Sequence, residues 1–214
     1  MTAVVTELSV QMREGSQAEH TAAETSSFMA RLLAGEINEA GYLAYLARLR
    51  PVYAALEAAD WAGHPVAGEL LDPALERLAA LDADLAFWAP DGLPEIDSPA
   101  SEAYVARIRS VDAAGYVAHH YTRYLGDLSG GQAIGRILGR SYGLDRDGLA
   151  FYRFDQIPKP KPYKDAYRAR LDALPLSEEG QAAVVDEVKV AFRLNQDLFE
   201  ELSRDLASYA RTAA

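Results

Sequence analysis

Apolar residues recur along the chain at spacings of three and four, with hardly any alternating stretch, and that period belongs to helices rather than strands. A first helix is expected from near Thr6. It carries Leu8, Met12, Ser16 and His20 at intervals of four, which puts His20 at the end of an inward stripe. A second, Ser27 to Leu33, should stop at Gly35. Asn38 suits the cap of a third helix through Tyr42, Leu46, Leu49, Tyr53 and Leu56, with Pro51 as an expected kink. Asp72 before Pro73 marks another start, followed by Leu75, Leu78, Leu81, Leu85 and Trp88. Prolines and a glycine make Ala89 to Pro99 a loop. From Ser101 two helices follow, the second spanning Ala113 to Ser141. A turn near Gly143, a short helix or loop through Phe151 and the segment Pro158 to Pro162 lead to two final helices, Tyr163 to Leu174 and Ser177 to Tyr209.

The chain shows no internal repeat and no Gly/Ser-rich linker. Its 214 residues suffice for one sizeable core, so 1–214 reads as a single all-α domain. The absence of cysteine removes disulfides and thiolate chemistry, leaving His and carboxylates as the strong metal ligands, and is compatible with a reducing cytoplasm. A net charge of -11 disfavours nucleic acid as the main partner. No signal-like start and no run of eighteen apolar residues occurs, so neither export nor a membrane anchor is expected.

The candidate chemistry starts in the stretch from His119 to Gln132, where Gly126, Gly130 and Gly131 are followed by Gly135 and Gly139 at spacings that put several on one helical face. Each interior glycine costs about 0.5–1 kcal/mol against alanine, so something must need bare backbone. Close helix packing is one explanation; a large flat ligand lying against a kinked helix is the other. Asp127 adds a carboxylate that water or Arg123, four residues earlier, could satisfy. A lone histidine such as His20 is commonly just a core or surface residue. Here Glu24 at i+4 could accept its second ring N–H, and Arg13 lies two turns earlier. One imidazole plus one cation suits heme iron with a propionate better than zinc. His119 and His120 read as packing or hydrogen-bonding residues, and His64 sits in a loop. Lys159, Lys161, Lys164, Arg168 and Arg170 form a basic cluster that is either a solvated face or, through Lys164 and Arg168, a grip on paired carboxylates. Phe192 and Phe199, two turns apart, fit core better than cofactor contact.

The segment YTRYLGDLSGGQ, Tyr121 to Gln132, resembles the distal-helix signature of the haem (heme) oxygenase family. Agreement extends to Glu19-His20-Thr21 with Glu24, Tyr53 to Glu57, Asp84 to Trp88, Tyr163 to Arg168 and Asn195 to Leu202. The resemblance implies a single-domain all-α bundle with heme, both cofactor and substrate, sandwiched between a proximal and a kinked distal helix. It makes His20 the proximal iron ligand and gives Arg13, Lys164 and Arg168 the propionates. Tyr53, Arg123 and Asp127 would order distal waters beside Gly126 and Gly130, the five forming the catalytic set. Glu24, Tyr121, Thr122, Gly131, Phe192 and Asn195 complete the heme-binding set. Arg13 departs from a position that is often Lys in relatives, so charge is kept and reach changes. The implied reaction is oxidation of heme by dioxygen and reducing electrons to biliverdin, ferrous iron and carbon monoxide, in a cytoplasmic, unanchored monomer served by a reductase or ferredoxin. A heme carrier or sensor is the first rival reading. A thiaminase-like or di-iron relative of the same architecture is the second, although the sequence shows no Glu/His constellation at helical spacing.

Overall fold

In the computed structural model, residues 6–93 and 95–211 are described; residues 1–5 and 212–214, within the expected domain, and Pro94 of the expected loop lie outside them. The helices are α1 (Leu8–Gly15), α2 (Gln17–Glu24), α3 (Ser27–Ala34), α4 (Glu39–Glu57), α5 (Leu78–Trp88), α6 (Pro99–Ser110), α7 (Ala113–His120), α8 (Gln132–Tyr142), α9 (Pro160–Asp172) and α10 (Glu178–Arg204). α10, 27 residues long, is the spine: it packs on α7, α2, α6, α1, α3 and α4. The core sits around α4, α7 and α10, with Tyr42, Tyr53, Tyr104, Tyr116 and Tyr167 among its fully buried side chains. No described helix is long and apolar enough to cross a membrane.

Several boundaries differ from those expected, each for a local reason. The first expected helix is two, because the backbone departs from helical geometry at Ser16 (φ -114°), whose Oγ instead donates to the carbonyl of Met12 at 2.7 Å. The Asp72-Pro73 start makes only a short 3₁₀ turn, Pro73–Leu75; α5 begins at Leu78, where Glu57 Oε1 on α4 accepts the N–H groups of Arg77 and Leu78 at 2.6 and 3.0 Å. That cap comes from another helix, so no local signal announces it. α6 starts at Pro99, two residues early, capped by Ser98. α9 likewise starts early, at a proline, and α10 ends at Arg204, the tail turning back so that Ala210 pairs with Ile37.

The largest departure shapes the site. The expected Ala113–Ser141 helix is continuous as far as Tyr142, but between α7 and α8 it widens into two π-type turns, Tyr121–Leu125 and Asp127–Gly131. Such turns kink a helix and expose its peptide groups. The change begins at Tyr121, well ahead of Gly130 and Gly131.

Candidate heme site

A cavity of about 560 Å³ lies between α2 and the π-widened segment, floored by α10. On the π side, Gly126 and Gly130 face it: a Cβ built on either would meet nothing within 4 Å. Gly131, Gly135 and Gly139 do something else. A Cβ at Gly131 would come within 2.9 Å of the Tyr152 ring, at Gly135 within 3.0 Å of Tyr152 Cβ, and at Gly139 within 2.8 Å of the Leu144 carbonyl. Gly131 borders the cavity as well, and its bare Cα also admits the Tyr152 ring.

Across the cavity stands His20, with its side chain 44% exposed and Nδ1 3.5 Å from Glu24 Oε2. Its ring meets Phe192 edge-on at 5.3 Å, and the contact with Glu24 engages Nδ1 rather than Nε2. The α1–α2 break therefore serves a purpose: α2 is set independently of α1, and it carries His20 toward the glycines.

Asp127, on the cavity wall, is held from behind. The Tyr53 hydroxyl donates a short hydrogen bond to Oδ2, and Arg123 Nη2 lies 3.4 Å from Oδ1. Arg123 also donates to the Tyr53 hydroxyl at 3.0 Å and to Asn195 Oδ1 at 2.6 Å. Burial pushes the Asp127 carboxyl above its ordinary value, a rise that Arg123, the Tyr53 bond and Arg77 moderate. The carboxyl is thus oriented by Tyr53 and Arg123, the latter braced by Asn195. Tyr53 itself, fully buried, does not line the cavity; its hydroxyl reaches Asp127, which does.

Arg13, Glu24, Tyr121, Thr122, Arg123, Arg168, Phe192 and Asn195 all line the cavity. Lys164 does not; its Nζ lies 3.1 Å from Ser129 Oγ, tying α9 to the rim beside Gly130. Met29, Tyr45, Tyr152 and Phe199 also line it and were not foreseen in this role. Met29 and Tyr45 read as ordinary helix-stripe residues, and Tyr152 arrives on a 3₁₀ turn that no periodic pattern marks. His119 and His120 are buried hydrogen-bonding residues as expected: His119 Nε2 lies 2.8 Å from Glu187 Oε1, and His120 Nδ1 2.8 Å from the Tyr167 hydroxyl. Among the described residues no group of three or more His, Cys, Asp or Glu is placed to hold a metal ion directly, contrary to what a di-iron site needs.

The residues fit heme: an open face without Cβ atoms at Gly126 and Gly130, apolar ends at Met29 and Phe199, one imidazole at His20, and the cations Arg13 and Arg168. Fold and site together define an all-helical protein with a pocket for one flat ligand, backbone on one side and a single histidine on the other. The chain belongs to the heme oxygenase family, whose model matches residues 6–201. It is similar to a heme oxygenase of Pyropia yezoensis, 39% identical over 94% of this chain and 87% of that one, and to heme oxygenase 1 of Rattus norvegicus, 39% identical over 92% and 71%. Among solved structures, it resembles heme oxygenase-1 of the cyanobacterium Synechocystis sp. PCC6803 in complex with heme, with a TM-score of 0.89, 34% identity and 95% of each chain covered. The heme oxygenase of Leptospira interrogans is similar at TM-score 0.85 and 34% identity, covering 92% of this chain and 100% of that one.

Proposed function

We propose that this protein oxidises heme, with dioxygen and reducing electrons, to biliverdin, ferrous iron and carbon monoxide. The observation that carries this reading is the cavity in which His20 faces two glycines with no side chain between them, with the buried carboxyl of Asp127 at their side. Heme is substrate and cofactor at once, and its iron supplies the site where dioxygen binds.

His20 is the iron ligand in this reading, oriented by Glu24 and the edge of Phe192. Gly126 and Gly130 let peptide groups approach the ligand and leave room for dioxygen on that side. Asp127 holds a water that delivers a proton there, while Tyr53, Arg123 and Asn195 hold the carboxyl in place. Arg13 and Arg168 take the propionates at the mouth, with Lys164 closing the rim; Tyr121, Thr122 and the Gly131 backbone complete the contact surface. The electron donor is a reductase or ferredoxin, steered by the basic residues of α9. The protein works as a cytoplasmic monomer with residues 1–214 forming one domain.

Addition of hemin, then ascorbate or a reductase under air, should turn the solution from the heme spectrum to the green of biliverdin. A persistent heme band would leave only a carrier. Asp127→Ala should keep heme and lose most biliverdin formation, and His20→Ala should abolish the iron–histidine vibration.

A further inference from the structure

Four tyrosines outside the cavity lining share an arrangement that packing alone does not demand. Tyr53 donates to Asp127, Tyr124 to Glu57 at 3.3 Å and Tyr163 to Asp72 at 2.6 Å, while the Tyr167 hydroxyl lies 2.8 Å from His120 Nδ1. Each phenol thus points at a group able to take its proton. Their rings also form a row. The centroids of Tyr53 and Tyr124 are 5.7 Å apart, those of Tyr124 and His120 4.5 Å, and those of His120 and Tyr167 5.8 Å with planes only 5° apart. Tyr163 and Tyr167 are four residues apart on α9 and so share one face. The row begins one hydrogen bond from the cavity and ends at half-buried Tyr163.

A phenol gives up an electron readily only when its proton can leave at the same moment, because the oxidised phenol is a very strong acid. A hydrogen-bonded base removes that obstacle, and rings in contact allow electrons to tunnel between them. Burial, with Arg170 adding to it, holds His120 down at about 3, so the neutral imidazole keeps a lone pair for the Tyr167 proton. A side branch lacks the device: Tyr116 is 5.8 Å from both His120 and Trp61, but its hydroxyl donates to the Leu56 carbonyl, which cannot take a proton.

We propose that Tyr53, Tyr124, Tyr167 and Tyr163 form a relay that carries one-electron oxidising equivalents away from the cavity to the surface. The proposal rests on the oxygen chemistry assigned above, and concerns the turnover in which that chemistry strays and leaves the iron one electron too oxidised. Tyr53 gives up an electron toward the oxidised centre that the cavity would hold, and its proton passes to Asp127. Tyr124 then refills Tyr53, the proton returns from Asp127, and the Tyr124 proton moves to Glu57. The same exchange repeats with His120 as the base for Tyr167 and Asp72 as the base for Tyr163. At Tyr163 a soluble thiol or ascorbate supplies one electron, Asp72 returns the proton, and the iron and the four tyrosines are restored.

Because the chain has no cysteine, Ser129→Cys at the cavity lip gives one attachment point for a ruthenium photo-oxidant, which loads the row without heme. Flash oxidation should produce a tyrosyl radical by transient absorption and electron paramagnetic resonance. Tyr163→Phe should remove its ascorbate-quenched component, Tyr167→Phe should strand the radical at Tyr124, and Trp61→Phe should change nothing. Unchanged radicals in both tyrosine variants, or their loss in Trp61→Phe, would overturn the relay. In a second arm, heme-loaded Tyr163→Phe should keep its single-turnover biliverdin yield under dioxygen and reductant, but accumulate oxidised Tyr45 and Tyr152 when treated with a peracid. A radical in the first arm without any in the second would support the row of tyrosines and count against the oxygen chemistry.

Discussion

Gly130 and Gly131 are chain neighbours with opposite duties. At Gly130 a methyl group would enter open space, so its absence serves the ligand; at Gly131 it would strike Tyr152, so its absence serves packing. Gly130→Ala should therefore stabilise the ligand-free protein by roughly 0.5–1 kcal/mol while weakening hemin uptake. Gly131→Ala should destabilise it by about 1–3 kcal/mol, because a packed ring has to move. Thermal melts with and without hemin separate the two. The density of glycines told of bare backbone in the sequence; the division of labour among them did not, since it depends on which helix face Tyr152 covers. His20, Gly126, Gly130, Arg123 and Asp127 were legible because the family signature and the helical spacing agree, and they do meet at one cavity. Met29, Tyr45 and Phe199 were not, because a side chain beside a cavity and one inside a core follow the same apolar spacing.

Among the elements, the helix carrying Asp127 shows why period alone falls short. A helical repeat predicts Ala113–Ser141 well, but cannot distinguish α from π turns, which differ by one residue in hydrogen-bond reach. The start of α5 fails differently: Asp72-Pro73 is a sound local signal, overridden by Glu57 from α4. Glu57 also accepts from Tyr124, so three donors depend on one carboxylate oxygen. Its replacement by Ala should cost ~2 kcal/mol and be seen first as faster amide exchange at Arg77 and Leu78. Glu57→Gln, which keeps an acceptor oxygen, should recover most of the loss.

The molecule as a whole is organised by α10, and two of its carboxylates anchor it. Glu201 meets buried Arg48 at 2.7 Å, and Glu187 joins Arg107 on α6 to His119 on α7. Burial alone would raise the Glu187 carboxyl, but the bonds from Arg107 and His119 outweigh it and bring it down to about 2. Between the ordinary carboxylate range and that value the unfolded chain binds more protons than the folded one, so the stability Glu187 contributes is intact above that range and is lost as pH falls toward about 2. Glu187→Gln should melt lower than the parent at neutral pH, with the gap closing on acidification. A gap independent of pH would show that the carboxylate charge is not what matters. The helical class of the whole was readable from the start, whereas this cross-bracing was not, because it joins residues 80 and 68 positions apart. The cavity has a consequence at this scale too. Met29, Phe192 and Phe199 bound a hollow the chain itself leaves unfilled, and α2 beside it buries only Ala23. An incoming porphyrin supplies the interior surface that the gene does not encode, tightening the fold in proportion to its concentration. Each catalytic cycle then dismantles part of the protein's own scaffolding, so resistance to proteolysis should rise and fall with the supply of the molecule it consumes.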